Sequence, residues 1–386
     1  MNNFIPYGRQ SISDKDIESV IEVLKSDYLT QGPVVPQFEE EIASYCGAKH
    51  AVAVNSATSA LHIACLALGL GKGDYLWTSP ITFVASANSA LYCGAKVDFV
   101  DIDPGTVNMS PKALEEKLKV AEKENRLPKI VMPVHFGGLS CDMEKIYELS
   151  KEFGFKIIED ASHGIGGSYQ GIKIGACQYS DITVFSFHPV KIITSGEGGM
   201  AMTNDRFLAD QMSLLRSHCV TRDEELMKCN SDGSWYYEQL GLGYNYRLTD
   251  IQAALGLSQI SRLDQFVKKR NELALEYQQQ LSELLVKWQE IPSNSDSAYH
   301  LFIITLDKNL DRKFIFEKMR EENIGVNVHY IPVYRQPYFQ RFGFSNGDFL
   351  NAEKYYQSCM TLPLSPQLSK KDFMRVVSKL REILKR

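Results

Sequence analysis

Seven short apolar runs follow one another up to Thr203, with helical stretches between several of them. They are Ala51–Val54, Tyr75–Thr78, Lys96–Val100, Ile130–Val134, Lys156–Glu159, Ile182–Phe187 and Gly199–Thr203. Strand-length runs alternating with helix-length patterns predict an α/β chain. Ahead of them, Ser13 and Asp16 form a capping-box-like helix start, and Ile17, Val20, Ile21 and Leu24 make one apolar face. That helix stops before the turn-rich segment Tyr28-Leu29-Thr30-Gln31-Gly32-Pro33. Beyond residue 260 the character changes. Leu263, Phe266, Leu273, Tyr277, Leu281 and Leu284 recur at helical spacing, and Arg270 interrupts the stripe, which argues against a coiled-coil stem. A strand at Leu301–Leu306, a helix near Arg312–Asn323, a strand at Gly325–His329 and a final helix follow. That last helix has Ser369 as cap and Phe373, Val376, Leu380 and Ile383 as its inner face. A chain of 386 residues, 44% of them hydrophobic, can bury one large core and a lesser one. The expected division is a large domain over residues 1–260 and a smaller α+β domain over 261–386.

Three of the strand ends carry residues able to do chemistry. After Ile182–Phe187, Pro189 breaks the strand and leaves Lys191 in the turn beyond it, with Gly196, Gly198 and Gly199 close behind. A desolvated lysine there can lose its proton and act as a nucleophilic amine. After Ile157-Ile158 come Glu159 and Asp160. A carboxylate at a strand end, where ligands gather in open sheets, can pair with a ring nitrogen. It can equally cap the next helix. After Ala51–Val54, the run Asn55-Ser56-Ala57-Thr58-Ser59 opens an apolar helix. Small residues there leave N–H groups and a helix dipole free for a phosphate on Ala57 and Thr58, or make an ordinary N-cap.

A phosphate cradle, an Asp for a ring nitrogen and a reactive lysine, in that order, resemble the fold-type I pyridoxal-phosphate (PLP) enzymes. The runs NSATSALHIA, SPITFVASANSA, IIEDASHGIGG, FSFHPVK with GEGG, and GLGYNYRLTDIQAAL are similar to those of the DegT/StrS-type sugar-nucleotide aminotransferases. The resemblance runs from the Tyr28 segment to Tyr330-Ile331-Pro332. It implies a mostly parallel, mixed seven-stranded sheet. It implies PLP on Lys191, with Lys191 moving the proton, Asp160 on the ring nitrogen, His163 near the ring hydroxyl and Phe83 stacked on the ring. Ser186, Ala57 and Thr58 take the phosphate, and Asn245 reaches the phosphate bound by the other subunit of a homodimer. Tyr7, Tyr28, Thr30, His188, Arg247, His329 and Tyr330 then border the nucleotide-sugar pocket. The segments LTQGP, Leu215-Arg216-Ser217-His218 and Val328-His329-Tyr330 are most similar to the branch of pseudaminic acid synthesis. That branch aminates C4 of a UDP-linked 4-keto-6-deoxy-N-acetyl sugar, with L-glutamate as the expected donor.

Composition excludes several other classes. A net charge of −5 argues against a nucleic-acid surface. Eight scattered cysteines without a CxxC pair fit a reducing compartment rather than a disulfide frame or a metal site. No apolar run approaches a membrane span, and the polar start at Asn2-Asn3 shows no signal segment, so a cytoplasmic enzyme is expected. Gly164-Ile165-Gly166-Gly167 lacks the dinucleotide spacing, which counts against a nicotinamide dehydrogenase. Lys191 counts against the family's sugar dehydratases, where histidine replaces it, and the complete catalytic set counts against a non-catalytic sensor.

Overall fold

The computed structural model describes residues 3–385. Two helices, α1 (Asp14–Lys25) and α2 (Val34–Cys46), precede the sheet. All seven apolar runs are strands, with ends within a residue or two of those expected. They are β1 (His50–Val54), β2 (Tyr75–Thr78), β3 (Lys96–Phe99), β4 (Ile130–Met132) and β5 (Lys156–Asp160). After a small hairpin, β6 (Ser168–Tyr169) and β7 (Ile172–Lys173), come β8 (Ile182–Ser186) and β9 (Gly199–Thr203). The main sheet has the order β1-β9-β8-β5-β4-β2-β3. Neighbours from β3 to β8 are parallel, and β9 runs antiparallel to both β8 and β1. The strands β1, β5 and β8 therefore end on one edge of the sheet, where β9 begins.

The period-2 alternation of these runs decides which helices cover which face. Val52, Val54, Ile158 and Val184 pack against α3 (Ala57–Ala67), α4 (Val84–Tyr92) and α7 (Arg206–Leu215). Ala53, Phe185, Met200 and Met202 face the other way, onto α2 and α8 (Asp250–Ile260). Trp77, Val131 and Ile157 do the same against α5 (Pro111–Lys123) and α6 (Met143–Phe153). Side chains of Ser56, Ser110, Asp205 and Thr249 cap α3, α5, α7 and α8. The helix α2 is not anticipated by the sequence reading, because it starts at Pro33 with no side-chain cap, inside the turn-rich segment.

The apolar face expected on α1 does not turn inward. Ser13 and Asp16 do form the capping box. Yet Ile17, Ile21 and Leu24 are 49%, 40% and 54% exposed, while Asp16 and Val23 are buried. The reason is a polar hub. Asp16 accepts from Ser258 Oγ at 2.7 Å, from Gln259 Nε2 at 3.0 Å and from Arg262. Those donors sit on α8 and just after it, so α1 docks through its carboxylate and leaves its apolar stripe in solvent.

A second core gathers around the long helix α9 (Leu263–Leu281). A three-stranded sheet of Val286–Trp288, Phe302–Leu306 and Cys359–Leu362 packs there, with α10 (Arg312–Glu321) and the final helix Lys370–Leu384. Ile5 joins this core from the far end of the chain. The strand expected at Gly325–His329 does not form: Asn327 makes one isolated bridge to Thr361, and Asn327 Oδ1 takes the N–H of Val328. Arg270, which interrupts the apolar stripe in the sequence, is 1% exposed. It donates to the carbonyls of Tyr299, His300 and Leu364 at 3.3, 3.2 and 3.1 Å. Burial pulls its pKa down to about 10. Arg270→Ala strips that donor from three buried carbonyls. It is expected to cost about 3 kcal/mol, the order of two charge-assisted hydrogen bonds, read as a lowered urea midpoint in equilibrium unfolding.

Candidate active site

The strand edge defined by β1, β5 and β8 brings the three sequence motifs together, and Gly199 is the residue that joins them. It pairs with Val54 on one side and Ser186 on the other. A Cβ at Gly199 would lie 2.5 Å from Ala57 N and from the Ser56 carbonyl group. Only glycine lets β9 enter between the lysine strand and the first turn of α3. Ala57 and Thr58 are that first turn. Ser56 Oγ accepts from Ser59 N at 3.1 Å, and Ser59 Oγ donates to Asn55 Oδ1 at 2.7 Å, so the cradle's backbone is pinned. Ser186, the last residue of β8, is buried opposite it.

Asp160 ends β5 on the face that carries Ile158, toward α4. Its Oδ2 accepts from Ser86 Oγ at 2.6 Å, and its Oδ1 from Ser162 Oγ at 2.6 Å and Ser162 N at 3.1 Å. Three donors fix the carboxylate's direction. Glu159 points the opposite way, as the alternation of a strand requires. Its Oε2 accepts from His135 Nε2 at 2.6 Å, and Oε1 from Thr183 at 2.9 Å and from Ser180. The N–H of Cys141 donates to His135 Nδ1 at 3.1 Å, which makes that nitrogen an acceptor and places the ring's single proton on Nε2. The pair is thus a neutral imidazole donating to an ionised carboxylate. His135 N also donates to the Asp160 carbonyl at 3.0 Å. The buried pair therefore clamps the strand end that aims Asp160.

Lys191 lies half-buried in the turn after β8, its N–H donating to the His188 carbonyl at 2.9 Å. Burial disfavours its ammonium, and the nearby Asp160 charge partly opposes this, which leaves the amine at about 8. Three imidazoles share its enclosure. Burial first, and the Lys191 charge after it, hold His163 well below the histidine range and bring His329 to about 3. Burial, then His163 and Lys191, hold His300 low as well. All three rings are uncharged at neutral pH. His163 Nε2 lies 3.3 Å from the Tyr330 hydroxyl, and its Nδ1 is buried with no partner. The His300 ring is 4.4 Å from that of His163. Tyr7 stands 5.2 Å from the His329 ring, and Phe83, 60% exposed at the start of α4, stands 6.4 Å from Tyr330.

Other expected residues lie farther out. His188 is exposed in the turn before Lys191. Asn245 sits beside the cradle of its own chain, its carbonyl 3.5 Å from Asn55 Nδ2, and Arg247 bridges Val54 and donates to Ser217. Tyr28 and Thr30 are exposed beside the start of α8, and no hydrogen bond or ring contact joins them to the Lys191 group among the described residues. Four participants escaped the sequence reading: Ser86, Ser162, His135 and His300. Ser86 follows from its place one turn into a helix facing a strand end. His300 has no local signal, because the fold alone brings it to His163.

These residues fit PLP on the observations above. A pinned helix start closed by Gly199 suits a phosphate, an orientated carboxylate suits a ring nitrogen, and the unpartnered His163 Nδ1 and a free amine face the same enclosure. Comparison with known proteins agrees. The DegT/DnrJ/EryC1/StrS aminotransferase family model matches residues 10–381. Spore coat polysaccharide biosynthesis protein SpsC of Bacillus subtilis is 41% identical over 392 residues, covering all of this chain and 98% of its own. A UDP-4-amino-4,6-dideoxy-N-acetyl-beta-L-altrosamine transaminase of Campylobacter jejuni is 36% identical, covering 99% of this chain and 98% of its own. The solved structure of Helicobacter pylori PseC, described as an aminotransferase of pseudoaminic acid biosynthesis, superposes with TM-score 0.91 at 30% identity, over 99% of this chain and 100% of that one.

The Lys191 amine yields a test in the cofactor-free protein. Because burial favours the neutral amine, its labelling by trinitrobenzenesulfonate is expected to rise through about pH 8, below the range of an exposed lysine. Asp160→Asn removes a charge that favours the ammonium, so the midpoint shifts further down. Peptide mapping across pH reads both.

Proposed function

The chain belongs to the DegT/DnrJ/EryC1/StrS aminotransferase family, and from that premise we propose that it moves an amino group from L-glutamate to C4 of a UDP-linked 4-keto-6-deoxy-N-acetyl-hexose. It is a PLP-dependent sugar aminotransferase of fold type I. The observation that carries the reading is the grouping of Lys191, Asp160 and the Ser56–Thr58 cradle on one sheet edge. Similarity to the Campylobacter transaminase and to PseC supports the sugar and a place in pseudaminic acid synthesis.

When bound, PLP supplies an electron sink that makes the donor's α-hydrogen acidic. The chain's residues do the rest. The N–H groups of Ala57 and Thr58, with Ser186, would hold the phosphate. Asp160 would pair with the ring nitrogen, and neutral His163 would orient the ring from its unpartnered nitrogen. Phe83 would cover one ring face and limit water. Lys191 Nζ, near neutrality between its two protonation states, takes a proton from one carbon and returns it to another. Tyr7, His188, His329 and Tyr330 line the approach for sugar and nucleotide, and Tyr28, Thr30 and Arg247 extend it when a second subunit is present. The exposed stripe of Ile17, Ile21 and Leu24, with Tyr28 and Leu29, supports a homodimer. In it Asn245 completes the partner's phosphate site. Eight unpaired cysteines support a reducing, cytoplasmic setting, and no helix among the described residues is long and apolar enough to cross a membrane.

Two measurements test this. Given L-glutamate and a panel of UDP- and dTDP-linked 4-keto sugars, the enzyme is expected to yield the 4-amino product from the UDP-linked N-acetyl sugars, identified by NMR. Turnover confined to dTDP-linked sugars overturns the substrate. Mixing inactive Lys191→Ala and inactive Asn245→Ala chains is expected to restore activity, because some shared sites then carry neither lesion. Dead heterodimers, demonstrated by tagged pull-down, refute the shared site.

A further inference from the structure

A chain of two hydroxyls stands behind Asp160 at the start of α4. Thr82 comes just before Phe83, the N-cap of that helix, and Ser86 follows one turn on. Both are buried, as is Asp160, so solvent does not stand in for a missing hydroxyl there. Thr82 Oγ1 and Ser86 Oγ lie 2.7 Å apart, and Ser86 Oγ lies 2.6 Å from Asp160 Oδ2. A threonine at a helix start ordinarily turns its hydroxyl onto the helix backbone as a cap. Here α4 has no side-chain cap, and the Thr82 hydroxyl meets another side chain instead.

The direction of the chain follows from proton counting. Each hydroxyl has one proton to give, and an ionised carboxylate has none. Asp160 Oδ2 therefore takes the Ser86 proton, and Ser86 Oγ is left to accept from Thr82. Ser86 has a rival acceptor in the Phe83 carbonyl, 3.3 Å away on its own helix. The Thr82 proton occupies one side of Ser86 Oγ and directs the Ser86 O–H to the carboxylate. Hydrogen bonds in series also polarise one another in a low-dielectric interior, so Thr82 strengthens the donor that Asp160 receives. Ser162 serves the other oxygen, Oδ1. The strength of donation to Oδ2 thus depends on Thr82 and Ser86 together.

We propose, resting on the reading of Asp160 as partner of the cofactor's ring nitrogen, that Thr82 is a positioning residue for amino transfer. It acts through Ser86 and sets how strongly Asp160 competes for the proton on that nitrogen. Hydrogen bonds to a carboxylate favour its charged form and so weaken it as a base. Asp160 then leaves the shared proton on the ring, and a protonated ring is the better electron sink. Without the relay, the carboxylate draws that proton toward itself.

Holoenzyme loaded with pyridoxal phosphate, isotopically labelled at the ring nitrogen, provides the test. Nitrogen NMR at neutral pH reads which partner holds the proton. Wild type is expected to show a protonated ring nitrogen. Ser86→Ala is expected to move the chemical shift toward that of a neutral pyridine, and Thr82→Val to move it the same way by less. Thr82→Ser keeps the hydroxyl and is expected to return the wild-type shift. Because Thr82 acts through Ser86, Thr82→Val is expected to add nothing in a Ser86→Ala background. A wild-type shift in Thr82→Val, a Thr82→Ser shift displaced as far as that of Thr82→Val, or additive displacements in the double variant each overturn the relay. The two Thr82 variants decide the matter alone if Ser86→Ala does not fold. A wild type that takes up no cofactor, or holds it with an unprotonated ring nitrogen, overturns the role of Asp160 and the relay with it. A protonated nitrogen that no variant moves overturns the relay and leaves that role standing.

Discussion

The close approach of Gly199 to the first turn of α3 is the constraint on which the site depends. Its Cβ position is already occupied by backbone of Ser56 and Ala57. The strand β9 must run against its neighbours, because only then does its first residue enter the sheet at the edge where β1 and β8 finish. Phosphate cradle and lysine turn are thereby set side by side although more than a hundred residues separate them. A parallel strand in that position would deliver its last residue there, and would lead into a crossover instead of receiving the lysine turn.

Electrostatics at the site follow from enclosure more than from pairing. One carboxylate, one amine and three imidazoles occupy a shared interior, and burial keeps all three rings neutral. The Asp160 charge then acts on Lys191 without a competing cation among the histidines. The direction of that carboxylate comes from hydroxyls, Ser86 and Ser162, and from the backbone clamp supplied by His135 and Glu159. Neutral donors orient Asp160 without neutralising it, as an ion pair with a lysine or arginine would do.

Much of this was legible in the chain. Alternating apolar runs marked all seven strands of the sheet, since burial on both faces leaves a strong local signal. Lys191, Asp160 and the Ala57 turn were legible because each sits where a strand ends, a place that breaks the local pattern. What stayed hidden depends on partners distant in sequence. Asp16 turned α1 inside out because its three donors lie some 240 residues away. Amphipathicity scored only its aliphatic side. The segment at Gly325–His329 carries strand-like residues, yet only Asn327 finds a ladder partner. His300 reaches His163 through a turn fixed by Arg270, a residue that reads as a mere interruption in a helix.

The turn after β4 has a wider meaning. His135 belongs to the clamp on Asp160, while the next residues belong to the second core's edge: Gly138 O accepts from Ala298 N, Gly137 O from Leu301 N, and Phe136 O from Gln289 Nε2. Gly138 leaves no room for a side chain against the backbone of Tyr299 and His300. Four residues, His135 to Gly138, thus serve as a common foundation for both walls of the cleft. A movement of one wall against the other would have to break the hydrogen bonds that join Phe136, Gly137 and Gly138 to Gln289, Leu301 and Ala298. Substitutions at Gln289, Ala298 or Leu301, remote from the lysine in the chain, are therefore felt at the strand end that carries Asp160.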